Sequence, residues 1–216
     1  MPLDTPAYPP WTSATTVIHS KAHRRRRSAA GFTLVEALVS TTITAIAGSA
    51  LLLGINSALQ TTNSVLEQTL ALGMAQQLMD ELSGLRYVEA GATPYSSLRA
   101  ETGEVSGASR ERFDDIDDFT GLVVQTPKDL WGINLGQDDG RGGSRHASFR
   151  APTGYFSRWR QEVEVYYVSD ADMTTRLASG QTSNYRAVHV RIYVETPDRG
   201  SQKLVDLRRI FANVPS

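Results

Sequence analysis

The 216-residue chain contains no cysteine. That excludes disulfide staples, thiolate metal sites and a cysteine nucleophile, and it leaves the redox compartment open. Charge bias is also lacking. The formal net charge is −1, so the overall balance points to no nucleic-acid partner. There is no internal repeat. The chain lacks G-x-S-x-G, H-E-x-x-H, a P-loop and G-x-G-x-x-G, the short motifs that mark hydrolases, zinc proteases and nucleotide sites. His146 falls in a glycine-rich stretch and His189 on the polar side of an alternating run, where a histidine is expected to be solvated rather than catalytic. An enzyme is not expected.

Two further absences are local. From Phe32 to Ile55 the only charged residue is Glu36, and no proline occurs between Phe32 and Pro94. As a helix, Phe32 to Ile55 would be roughly 36 Å long, enough for a hydrocarbon core of roughly 30 Å. This reads as a membrane span at residues 32–55. Arg24, Arg25, Arg26 and Arg27 stand just before it, and basic residues hold their side of a span in the cytoplasm, so the remainder should face outward. Upstream, Pro2, Pro6, Pro9 and Pro10 oppose helix in a leader rich in Ser, Thr and Ala, a composition that reads as disordered. A cleavable secretory signal, with Ala45-Ile46-Ala47 as its formal site, and a twin-arginine signal compete with the span reading. Against the first, apolar residues continue through that site to Leu53 and Ile55.

A carboxylate inside a span costs about 2.5–3.5 kcal/mol on insertion scales unless something neutralises it. Glu36 is therefore the anomaly. Two local terms favour it. Thr33 and Glu36 have the spacing of a capping box, and the positive end of the helix dipole favours an acid in the first turn by about 0.3–1 kcal/mol. Neither explains the basic run or the Gly31-Phe32 step.

The combination of basic residues, Gly31, Phe32-Thr33-Leu34-Val35-Glu36 and an uninterrupted apolar run resembles the processing and methylation site of type IV prepilins and type II secretion pseudopilins. The resemblance implies a prepilin peptidase that cuts between Gly31 and Phe32 and methylates the new amine of Phe32. It further implies that Glu36 recruits the subunit into a filament of other pilin or pseudopilin chains. The chain departs from the usual pattern in its long leader and in Ala29-Ala30 before Gly31. Physically, cleavage would place a positive amine one helical turn from Glu36, able to pair within the chain or with the carboxylate of a neighbouring subunit. Ser40, Thr41, Thr42 and Thr44 can bond back to carbonyls one turn earlier. Gly48-Ser49-Ala50 and Gly54 offer small faces for another helix.

Beyond Asn56 the pattern becomes amphipathic. Leu59, Leu66, Leu70, Met74, Leu78, Leu82 and Leu85 recur on one stripe, Ser83-Gly84 is a stop, and the whole helix would be about 78 Å long. Met74 and Met79 read as core filler. Leu70 to Leu78 looks like the matching part of V-type minor pilins and I-type pseudopilins. Residues 1–31 are thus expected as a cleaved leader, 32–55 as the span, 56–85 as the amphipathic half of the same helix, and 86–216 as an extracytoplasmic head.

Glu89 to Arg150 shows little periodicity, and Gly136 to Gly143 reads as a mobile loop. Earlier in that stretch, Asp114, Asp115, Asp117 and Asp118 lie between Phe113 and Phe119. Closely spaced Asp oxygens suit calcium, which takes six to eight oxygen ligands. EF-hand spacing fails, because Phe119 occupies a ligand position and no Glu closes the loop. The expectation is a solvated acidic turn with its aromatics docked on the core and no cofactor, with calcium as the alternative. The last third alternates with period two: Val163, Val165 and Tyr167; then Val188, Val190, Ile192 and Val194; then Val205 and Leu207 after the turn Thr196 to Gly200. Three antiparallel strands with one apolar face need a cover, and the Leu59-to-Leu85 stripe is the expected one. The fold class is α+β, a long helix on an antiparallel sheet.

Overall fold

The computed structural model describes residues 31–104, 109–137 and 145–214. The arginine run Arg24 to Arg27 and the leader lie outside the described residues, as does most of the Gly136-to-Gly143 loop. The chain divides into two compact units, one ending at Leu52 and one beginning at Leu53. A single helix, α1 (Leu34–Ser83), supplies residues to both.

In the first unit the helix is the whole of the described structure. Its apolar side chains are exposed, Leu34, Ile43 and Leu52 among them. The hydroxyls turn inward to the helix: Thr41 and Thr42 donate to Leu38 O, Thr44 to Ser40 O and Ser49 to Ala45 O. Each such bond removes a polar group from the helix surface, as a lipid environment requires.

The second unit is α+β, as expected. Three strands stand where alternation placed them, here numbered β2 (Trp159–Tyr167), β3 (Tyr185–Thr196) and β4 (Gly200–Ala212). A fourth, β1 (Leu122–Gln125), was not foreseen. It is only four residues long, too short to show period two, and its place comes from pairing with β2. The order is β1-β2-β3-β4, antiparallel throughout. Pro197 to Arg199 make the β3–β4 turn, and Gly200 leaves it at φ +67°, where a side chain would be strained. A register shift at Ile192/Tyr193 absorbs one residue of β3–β4 pairing.

The inward face of the sheet carries Trp159, Val163, Val165, Val188, Val190, Ile192 and Val194. Ala71, Met74, Ala75, Leu78, Met79 and Leu82 of α1 belong to the same core. Their spacing of three, one, three, one and three is that of a helix face against a layer, and both methionines are buried filler. The stripe expected from Leu59 onward is corrected here. Leu59 and Leu66 are 58% and 51% exposed, and full burial begins at Ala71. The sheet offers a finite apolar face, and the residues from Ala71 to Leu82 fill it. In the turns just before it cover is partial, with Glu67 and Leu70 half-buried.

The helix stops at Ser83, whose hydroxyl donates to Met79 O and accepts from Arg209 of β4. Gly84 and Leu85 close the end by donating to Glu81 O and Leu82 O. Glu81, in that last turn, holds Arg110 in a two-pronged pair at 2.8 and 2.9 Å. Arg110 is 2% exposed.

Candidate functional site

The N-terminal segment builds its geometry from Thr33. The Thr33 hydroxyl accepts the backbone N–H of Glu36 at 3.2 Å, while Glu36 Oε2 accepts the backbone N–H of Thr33 at 3.0 Å. This is the reciprocal capping box that the spacing predicts. The Thr33 hydroxyl also donates to Glu36 Oε2 at 2.9 Å. The carboxylate is thereby fixed at the first turn, over backbone N–H groups that have no intrahelical acceptor. Its Oε1 is free of these bonds. Gly31 and Phe32 precede the helix outside any regular element, with Phe32 77% exposed. Nothing within 4 Å would meet a Cβ added at Gly31. Among the described residues nothing covers the Gly31-Phe32 step, and Glu36 lies one turn into α1 from it.

The acidic stretch is not a solvated turn. Asp115, Asp117 and Asp118 are 1–3% exposed, and only Asp114 remains accessible. Phe119 is fully buried and packs edge-on against the half-buried Phe113, as expected of docked aromatics. Arginines meet two of these carboxylates and backbone N–H groups the other two. Arg86 pairs with Asp114. Arg186, wholly buried on β3, donates to Asp117 Oδ1 at 2.9 Å. The same guanidinium donates to Tyr87 O and to Pro94 O and lies over the Tyr87 ring, 4.3 Å from its centroid. Tyr167 joins this hub through Arg186 and by donating to Pro94 O and Ser96 O. Arg186 thereby ties residues 87–96 and 117 to the sheet. A buried, paired arginine of this kind gives no periodic signal, because in sequence it stands among ordinary strand residues.

The four aspartates do not converge on one point. Asp114 and Asp117 serve the ion pairs just named, and Asp115 Oδ1 accepts the Asp117 N–H. Desolvation, followed by bonding to Asp117 and its charge, pushes the Asp115 carboxyl up to about 8. Asp118 Oδ2 accepts the N–H groups of Asp114 and Asp115 at 2.8 and 3.1 Å. Among the described residues, Asp118 instead meets Glu101 and Glu104, which the sequence did not single out.

His146 and His189 each have a defined structural partner. His146 Nδ1 accepts the Ser148 N–H at the start of a short 3₁₀ turn, and His189 pairs with Asp206 across β3–β4. The expectation of a merely solvated His189 is corrected accordingly.

Neither the curated proteins nor the solved structures compared with the chain gave a match. Residues 26–52 match the family described as the prokaryotic N-terminal methylation motif. That stretch covers the last arginines, the Gly31-Phe32 step, the Thr33–Glu36 capping box and the apolar first half of α1. One helix, Leu34–Ser83, is long and apolar enough to cross a membrane. The chain therefore carries, at the head of a helix long and apolar enough to cross a membrane, the N-terminal methylation motif characteristic of type IV pilins and pseudopilins.

Proposed function

We propose that this protein is a structural subunit of the minor pilin or pseudopilin kind, cut after Gly31 by a prepilin peptidase and built into an envelope filament through α1. The observation that carries the reading is the motif at residues 26–52 followed by an apolar helix with one fixed acid. Its head faces outward from the cytoplasmic membrane, in keeping with Arg24 to Arg27 on the inner side. The role is structural, not catalytic.

Three features of α1 support assembly. The capping box spans Thr33 to Glu36 only, so cleavage at Gly31 leaves it intact and adds a positive amine at Phe32. Glu36 then meets its own amine or that of the next subunit, and the second choice fixes the axial register between helices. Further along, Ile55, Leu59 and Leu66 remain exposed on a side roughly opposite the buried face, since Ala75 lies about half a turn round from Leu66. Their steps of four and seven are those of a helix seam. Such a seam suits a second α1.

Mass spectrometry of the mature protein from envelope membranes tests the proposal. Methylated Phe32 as the first residue is the expected result. An intact arginine-bearing leader would instead identify a tethered binding domain that does not polymerise, and an end beyond Ala47 a secreted one.

A further inference from the structure

Independently of the filament reading, the sheet is left unfinished along one stretch of β2. Its register with β3 runs on to Val168, whose N–H donates to Tyr185 O at 3.1 Å. Backbone groups alternate sides along an antiparallel strand, so Glu164, Tyr166 and Val168 turn theirs toward β3. Val163, Val165 and Tyr167 turn theirs toward the side of β1. At one end β1 meets them, with Leu122 opposite Val163. At the other, Leu177 N–H donates to Tyr167 O at 3.0 Å and Arg176 bridges to Val168. Between these ends no described strand stands in register. A 3₁₀ turn at Asp117–Phe119 and Gly121, at φ +74°, keep the chain off β2 until Leu122.

Val165 N–H, Val165 C=O and Tyr167 N–H therefore have no partner among the described residues. Yet Val165 is 3% exposed and Tyr167 7%. Buried backbone groups are almost always paired, so three orphans in sequence along one strand imply a missing partner. A groove of about 550 Å³ runs along this edge and is lined by Val165 and Tyr167 themselves, a size typical of ligand sites. Ser96 and Leu98 line its inner side, where the Tyr167 hydroxyl donates to Ser96 O. Arg176 lines its outer side, stacked 4.6 Å from the centroid of the Tyr166 ring.

We propose that this gap receives an extended acidic segment of a partner protein, which adds to β2 as a short antiparallel strand in line with β1. The order donor, acceptor, donor at strand spacing decides the class of ligand. An extended backbone meets it group for group, as in other strand additions, whereas a sugar has no such repeat. From Glu164 to Tyr166 the gap is about 10 Å long, room for about three residues of the partner. The middle one, opposite Val165, shares its inward direction and enters beside Leu98, so it is apolar. Its neighbours point outward. There Arg176, Arg191 and Arg208 bond or stack at Glu164 and Tyr166, three guanidinium groups on one carboxylate. That excess of positive charge calls for an acid on the outward positions of the incoming strand.

The test is NMR of the full chain in detergent, labelled with nitrogen-15 at valine and tyrosine. The probes are capped pentapeptide mixtures with Asp or Glu at the second and fourth positions and Val, Ile or Leu at the third. Saturable shifts of the Val165 and Tyr167 amides are expected, with binding roughly tenfold tighter than for the matching Lys mixture, since one charge pair is gained and one like-charge contact avoided. N-methylation of the third residue removes the donor to Val165 O and should abolish the shifts. Arg176→Glu, at an exposed position, should reverse the preference between acidic and Lys mixtures. Ala178→Trp, on the exposed rim of the groove, should block both, with far-UV circular dichroism unchanged in each variant. Absence of saturable shifts in the parent chain, shifts that survive N-methylation, or an unreversed preference in folded Arg176→Glu would overturn the proposal.

Discussion

Glu36 shows how little is needed to keep a carboxylate at the head of an apolar helix. Two bonds from Thr33 hold its Oε2 while its own N–H donates to the Thr33 hydroxyl, and the uncapped N–H groups of the first turn supply favourable dipoles. These terms stabilise the acid within one chain and leave Oε1 for a partner. In the proposed role, Glu36→Ala loses the capping contribution of about 1 kcal/mol. It should still insert and be cut after Gly31, yet fail to enter the filament. Membrane fractionation beside quantification of the protein in sheared filaments separates these effects. Normal incorporation of the variant would remove the assembly role of Glu36. Arg186 solves a different problem, because its charge is fully buried. It rests on Asp117, two backbone carbonyls, a tyrosine hydroxyl and the faces of two rings, so neither charge of the pair is left bare.

At the scale of the element, α1 does two jobs along one length. Its last turns bury Ala71 to Leu82 against the sheet, while Leu59 and Leu66 stay outside that core. The two kinds of leucine should therefore separate in experiment. Leu78→Ala empties a site that is 1% exposed and should cost about 2–5 kcal/mol, read from urea unfolding of the head through its buried Trp159. Leu66→Ala should change that stability by less than about 0.5 kcal/mol, and in the proposed filament should reduce incorporation. A large stability loss from Leu66→Ala would show that the seam is packed within the chain. The hydroxyls bonded back along Thr41, Thr42, Thr44 and Ser49 let the apolar half of the same helix carry polar residues without exposing them.

For the molecule as a whole, the sheet is divided between an apolar side under α1 and a charged outer side. There Glu164 takes Arg176 and Arg191, Arg160 takes Glu162 and Glu195, and Asp206 takes His189 and Lys203. Partial burial would raise Glu164, but the hydrogen bond from Arg176 and the charges of Arg176 and Arg191 outweigh it and hold the carboxyl below its usual range. Burial is likewise outweighed at Asp206, by Lys203 and His189. A folded pKa below the unfolded one gives stability that is present above the unfolded value, about 4, and lost as pH falls through the folded one. These pairs should thus withdraw their contribution in acid, below about pH 4.5, an acid limb opposed by Asp115, whose raised carboxyl contributes with the other sign. Glu164→Gln should flatten that acid limb and cost about 1 kcal/mol or less at pH 7, since these pairs are part-exposed. Thermal unfolding from pH 3 to pH 7 measures both. A Glu164→Gln acid limb as steep as the parent's would assign the loss to other carboxylates.

Much of this was legible before any coordinates. Periods of 3.6 and 2.0 are local consequences of backbone geometry, so the helix through Ser83, its stop, and β2 to β4 could be read from residue spacing. The Thr33–Glu36 cap and the Gly31-Phe32 step are short-range features of the same kind. What spacing could not reveal depended on residues distant in the chain. The four-residue β1 exists because β2 offers it an edge. Asp117 is buried as a paired charge because Arg186, about seventy positions later in the chain, reaches it. Glu101 and Glu104 meet Asp118 only through folding. Where α1 passes from exposed to buried was decided by the extent of the sheet, since an apolar side chain is buried only where another layer stands to cover it.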